Sequence, residues 1–198
     1  MCQLLETIKW QDGVLKNIDL HNKRMNDARL KLFGVTHRIA LEHEITIPET
    51  LKKGVYKCRV VYEQHIESIE FIEYKIKPIK TIKLVYDNDI NYDYKYLERA
   101  CFANHLKKIK EDDILIVKSG LISDVSYANI VFYDGKKWIT PAKPLLKGTM
   151  RKYLLDKQLI KEENIEPKDL QYFQKARLIN AMLELSESPD VKIEGIIF

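Results

Sequence analysis

The stretch SGLISDVSYANIVFYDGKKWITP, residues 119–141, decides the fold of this chain. It sits between an apolar run ending in a turn, DILIVKSG at 113–120, and a second apolar pair of runs, NIVFY and KWITP, separated by Asp134-Gly135. Asp-Gly supplies the positive φ angles of a tight hairpin turn, so 129–141 reads as a hairpin and 113–120 as a strand. Between them lies an unusual set of polar residues, with Asp124 and Asn129 five apart. Taken singly, each is explained by local hydrogen bonding of a loop side chain to the backbone.

Working outward, IKLVY at 82–86 reads as another strand. The polar, aromatic segment YDNDINYDY that overlaps its end has no period and leads into a helix at about 95–108. Leu97, Ala100, Cys101 and Leu106 fall on the apolar side of that helix, and Lys95 opens it between Tyr94 and Tyr96. Downstream, KGTMRKYLLDKQLI at 147–160 starts with Gly-Thr and becomes a helix with Leu154, Leu155 and Leu159 as core candidates. PKDLQYFQKARLINAML at 167–183 is a helix followed by a short apolar segment, and the tail is a last strand. Towards the N-terminus, QLLETIKW at 3–10 and VLKNIDL at 14–20 form a hairpin about Asp12-Gly13. A helix then covers about 21–34, with Leu20, Met25, Ala28, Leu32 and Phe33 as its stripe and Gly34 as its stop. Residues 54–63 and 65–76 read as strands. The sum is an α+β chain with a small N-terminal lobe at 1–80 and a larger lobe at 81–198. A doubly wound dinucleotide fold is disfavoured, because regular βαβ spacing and a G-x-G-x-x-G turn are both missing from the sequence.

Composition narrows the function classes. Of 198 residues, 45% are hydrophobic and 31% charged, which suits a folded core and argues against disorder. The net charge of +4 is mild. The densest basic run, HLKKIK at 105–110, is followed at once by EDD, so a nucleic-acid footprint is not expected. Cys2, Cys58 and Cys101 have no metal-ligand spacing, and no metal is expected. Residues 1–25 carry charges where a signal core would be apolar, and no window is apolar for eighteen residues, so neither secretion nor membrane insertion is expected and the cytoplasm is the default.

Besides the polar stretch at 119–132, two places could carry chemistry. An amine at an element boundary among aromatics, as at Lys95, can be partly desolvated, which lowers its pKa and frees its lone pair for imine formation. The N–H groups that open the helix after Gly148 can hold a phosphate. Arg24, one turn after His21, reads on its own as a surface arginine, and His21 on its own as structural.

Together these segments resemble the class IV aminotransferase family, which includes branched-chain and D-amino-acid aminotransferases and aminodeoxychorismate lyase. The resemblance rests on LLETIKWQDG, HNKRMNDARLKLFG, YKYLERACFANHLKK, SGLISDVSYANIVFYDGKKWITP, PLLKGTMRKYLL and KARLINAML, in family order. It implies a two-lobed fold type IV enzyme using pyridoxal 5′-phosphate, with a shortened N-terminal lobe that leaves substrate choice weakly constrained. Lys95 matches the lysine that holds the cofactor as a Schiff base, and Arg24 the arginine on its phosphate. Thr149 and Met150 match residues whose backbone N–H groups cup that phosphate, and Ala181 a backbone contact on the late turn. Asp124 stands where the family usually has Glu against the pyridine nitrogen. The INAML segment is closer to the lyase, which converts 4-amino-4-deoxychorismate to 4-aminobenzoate and pyruvate. An amino-acid transaminase passing the amino group to a 2-keto acid is the alternative, and a non-catalytic binding protein the second. Arg59, on its strand, is a candidate for the substrate carboxylate beside the plainer role of a salt bridge. A homodimer with a small-molecule substrate is expected.

Overall fold

A computed structural model describes residues 2–51 and 53–198. The chain divides into two compact units, Met1–Ile76 with Tyr94–Glu98, and Lys77–Asp93 with Arg99–Phe198.

In the first unit β1 (Leu4–Gln11) turns through Asp12 and Gly13, with φ of 49° and 92°, into β2 (Val14–Leu15). Two successive positive φ angles are what the twist of a two-residue hairpin requires. The strand expected over 14–20 stops after two residues. Asn17 takes a left-handed conformation at φ 52° and starts α1 (Ile18–Phe33), so Ile18, Asp19 and Leu20 are helical. Gly34, at φ 69°, ends α1 with its N–H on the Leu30 carbonyl.

The face that α1 buries differs from the apolar stripe. It consists of His21, Met25, Asn26, Ala28 and Arg29, while Leu32 stays 38% exposed. Asn26 donates to the carbonyls of Asn22 and Ile39, and Arg29 to those of His37 and Gln64. These polar side chains satisfy the backbone of the connections around 37–39 and 64, which would otherwise be buried without partners. After α2 (Leu41–Glu44), β3 (Val55–Tyr62) and β4 (Ile66–Glu73) complete an antiparallel sheet in the order β2-β1-β3-β4. Leu4, Ile8, Met25, Ala28, Leu41, Cys58, Val60 and Tyr62 form its core, each large aliphatic side chain contributing about 1.5–3 kcal/mol on full burial.

The second unit holds two sheets. In one, β5 (Ile82–Tyr86) runs parallel to β6 (Asp113–Lys118), which turns at Ser119-Gly120 into antiparallel β7 (Leu121–Val125). Asp124 therefore lies on a strand and not in a loop. In the other, β8 (Asn129–Tyr133) and β9 (Trp138–Pro141) form the hairpin read from Asp134-Gly135. The helix expected from residue 95 begins five residues later, as α3 (Ala100–Leu106). The helix expected over 147–160 is α4 (Thr149–Asp156). Gln158, at φ 57°, breaks it and feeds β10 (Ile160–Glu163), leaving Leu159 54% exposed. A 3-10 turn, Pro167–Tyr172, takes the place of the helix expected there and leads into β11 (Lys175–Ile179). With β12 (Asp190–Lys192) and β13 (Ile196–Ile197), the sheets are ordered β10-β9-β8-β11-β12 and β13-β5-β6-β7. Leu84, Leu115, Val117, Ile122, Ile130, Phe132, Ile139 and Leu178 belong to one core between them. Among the described residues no helix is long and apolar enough to cross a membrane, and no group of His, Cys, Asp and Glu could hold a metal ion.

Candidate active site

In the first unit, Lys95 lies in an extended segment added to the edge of β1, not at a helix start. Leu5 N–H donates to the Lys95 carbonyl at 2.9 Å, Leu97 N–H to the Gln3 carbonyl at 2.9 Å, and Leu4 bridges Tyr96. Alternation along an extended chain sends neighbours to opposite faces. Tyr94 and Tyr96 pack on the core of this unit, their rings edge to face at 6.1 Å. The backbone is fixed while the Lys95 side chain stays half-buried; Lys143 and Lys147, which lie near the start of α4 in the second unit and are the other candidates for holding the cofactor, are exposed.

Arg24 is one face of a compact ionic cluster. Its Nε donates to Glu6 Oε1 at 2.8 Å and its Nη2 to Glu6 Oε2 at 2.5 Å, and His21 Nδ1 lies 2.6 Å from Glu6 Oε2. Glu6 and His21 are fully buried. Burial alone pushes the Glu6 carboxyl up, but the Arg24 charge and the His21 hydrogen bond bring it down to about 2. Burial lowers the His21 pKa, against the pull of Glu6, and the Arg24 and Lys95 charges lower it further. Burial thus favours the neutral ring, whose nitrogen this close to a carboxylate carries the proton. Neither Glu6 nor His21 was singled out as functional from sequence. The signal was present: Glu6 falls in phase with Leu4, Ile8 and Trp10 on the inward face of β1, an interior place that an acid takes only with partners. Arg59, on β3, is ion-paired with its cross-strand neighbour Glu70.

In the second unit, Asp124 is 4% exposed at the end of β7. Asn129 Nδ2 donates to its Oδ1 at 2.8 Å and Leu146 N–H to its Oδ2 at 3.0 Å. Burial raises its pKa to about 6 in spite of these bonds and of the Arg151 charge. Asn129 Nδ2 also reaches the Leu146 carbonyl at 2.9 Å, tying the strand to the chain that enters α4. Gly148 caps α4, and a Cβ there would collide with Asn129 Oδ1, so the close approach requires glycine. The Lys152 N–H makes the first helical bond, to Gly148, and the N–H groups of Thr149 and Met150 precede it in the opening turn. Arg151 turns away to the Pro141 carbonyl and Glu162. Ala181 occupies a tight turn closed between Asn180 and Leu183, and the pairing of Ile179 with Asn129 puts that turn at the same end of the sheet as Asn129. Asp124, Asn129, the α4 start and the late turn are thus brought together in one unit, and Glu6, His21 and Arg24 in the other.

Comparison with known proteins places the chain in a family. The family model for amino-transferase class IV matches residues 93–187. An uncharacterized protein of Haemophilus influenzae is 34% identical over 185 residues, 92% of this chain and 98% of its own. A crystal structure of a "putative 4-amino-4-deoxychorismate lyase" from Haemophilus somnus superposes with a TM-score of 0.87 at 34% identity, covering 93% of this chain and 98% of that one. The fold also matches an aminotransferase from Brucella abortus bound to the cofactor PLP, at a TM-score of 0.69 and 15% identity, with 96% of this chain and 80% of that chain covered. The chain belongs to the class IV aminotransferase family.

Proposed function

We propose that the protein is a pyridoxal-phosphate enzyme of the 4-amino-4-deoxychorismate lyase type, releasing pyruvate and 4-aminobenzoate. The observation that carries this reading is the 34% identity to the Haemophilus somnus protein over nearly the whole of both chains. The donor set fits the cofactor. A phosphate dianion suits a guanidinium and the N–H groups of a helix start. A buried carboxylate raised to about 6, with only neutral hydrogen-bond donors among the described residues, suits a cationic ring N–H.

The residues then take these roles. Arg24, the Thr149 and Met150 N–H groups and the backbone at Ala181 hold the phosphate. Asp124 would bind the ring nitrogen and keep it protonated. Lys95 Nζ would hold the cofactor and move the proton taken from the substrate. Bound pyridoxal phosphate supplies an electron sink for the carbon that bears the substrate amine. Arg59 would exchange Glu70 for a substrate carboxylate. The active unit is a homodimer, because a chain this small encloses a cofactor poorly alone.

The test is direct. Cofactor-saturated protein is given 4-amino-4-deoxychorismate and, separately, a panel of L- and D-amino acids with a 2-keto acid. Pyruvate and 4-aminobenzoate from the first support the lyase. Amino transfer from the panel alone replaces it with the transaminase that the family description favours. Bound cofactor without turnover of either leaves a binding protein. Borohydride reduction and peptide mapping should put the cofactor label on Lys95; a label on Lys143 or Lys147 overturns that assignment.

A further inference from the structure

The Glu6 carboxylate is expensive where it stands. Its position on β1 alternates with Leu4, Ile8 and Trp10, and an apolar residue there would extend the core without desolvating an ion. Its two oxygens are spent on two residues one helical turn apart, which α1 presents on the same side. The guanidinium is planar, so two bonds along its Nε–Nη2 edge fix both its plane and its rotation. The edge that carries Nη1 then points away from Glu6. Exposure follows the same gradient: the Glu6 side chain is 0% exposed and that of Arg24 18%. The acid is the buried anchor and the arginine its accessible end. His21, fully buried, shares with Nη2 the same carboxylate oxygen. Tyr62 lies behind the cluster with its phenol pushed far up by burial, so it adds no charge.

We infer that Glu6 is a positioning residue, which aims the Arg24 guanidinium at the phosphate of the cofactor, with His21 as the wedge that holds the carboxylate in register. This rests on the proposed role of Arg24. It predicts a defect specific to the phosphate, because Glu6 acts on the ligand through Arg24 alone.

The test compares pyridoxal phosphate with pyridoxal, which lacks the phosphate, by fluorescence titration of cofactor-free protein. Glu6→Gln should lower the preference for the phosphorylated ligand by about tenfold or more, the scale of one hydrogen bond to a charged group, with pyridoxal affinity unchanged. In an Arg24→Ala background the same substitution should do nothing further. Inorganic phosphate should raise the melting temperature of the cofactor-free wild type and fail to do so in Glu6→Gln. Glu6→Asp keeps the charge, shortens the reach and serves if Glu6→Gln does not fold; it should show the same selective loss. Equal losses for both ligands mean a structural role and overturn the inference, as does an unchanged preference. Wild-type protein that takes up neither ligand would overturn the cofactor reading instead.

Discussion

Two buried carboxylates, one in each unit, are held in opposite ways. Glu6 is held by a cation and an imidazole and brought down to about 2; Asp124 is held by an amide and a backbone N–H and raised to about 6. Burial pushes both in the same direction, so the partners decide the outcome. Glu6 is a permanent charge that can orient another ion. Asp124 is close to its switching point at neutral pH, so a nearby cation decides whether it is charged. Environments that drive two acids apart in this way are how one fold assigns them different tasks.

The strongest way to break the contrast is at Asp124. Asp124→Asn should retain pyridoxal phosphate but lose turnover by on the order of a thousandfold, since an amide cannot keep a ring nitrogen protonated. Steady-state rates on the preferred substrate check it, and a near wild-type rate would remove Asp124 from the reaction. Arg24→Ala should act on the other side of the comparison. Cofactor affinity should fall by roughly ten- to a hundredfold, read from the dissociation constant, with the absorption of the cofactor still bound unchanged.

The effect that addresses the contrast itself is on stability against pH. Glu6 has a folded pKa of about 2 against an ordinary 4.5. Its contribution, about 3 kcal/mol, is present above pH 4.5 and lost as the pH falls towards 2. Asp124 has a folded pKa of about 6 against 3.8. The folded state binds the extra proton, so stability falls by about 3 kcal/mol as the pH rises from 3.8 through 6. Urea unfolding of cofactor-free protein across this range should therefore show the downward slope above pH 4 in the wild type and in Glu6→Gln, and its loss in Asp124→Asn.

Much of this was legible in the sequence, and the failures share a cause. The Asp12-Gly13 and Asp134-Gly135 hairpins and the Gly34 stop are local, set by which residues tolerate positive φ, and they appear where expected. The α1 stripe went wrong because Asn26 and Arg29 bury themselves on carbonyls 8 to 35 positions away in sequence, which no periodicity records. Lys95 was read as opening a helix because Leu97, Ala100 and Cys101 suit one; pairing with β1, some ninety residues upstream, claims 95–97 first. In the site, the order of motifs pointed to Arg24, Lys95 and Asp124. Glu6 and His21 were passed over because a lone acid on a strand and a lone histidine are ordinary until their contact is seen.

The attachment of Lys95 to β1 bears on the kinetics of the cycle. Main-chain bonds on both sides of its neighbour Tyr96 tie this segment to the sheet, so the amine can change position only by turning about its own four-carbon stem. Side-chain torsions are the fastest such motions, picoseconds to nanoseconds where exposed, whereas collective domain rearrangements take microseconds or longer. If Lys95 carries the cofactor as proposed, its movement needs no loop or domain rearrangement, and the Leu5 amide should exchange its hydrogen equally slowly whether the protein is resting or turning over.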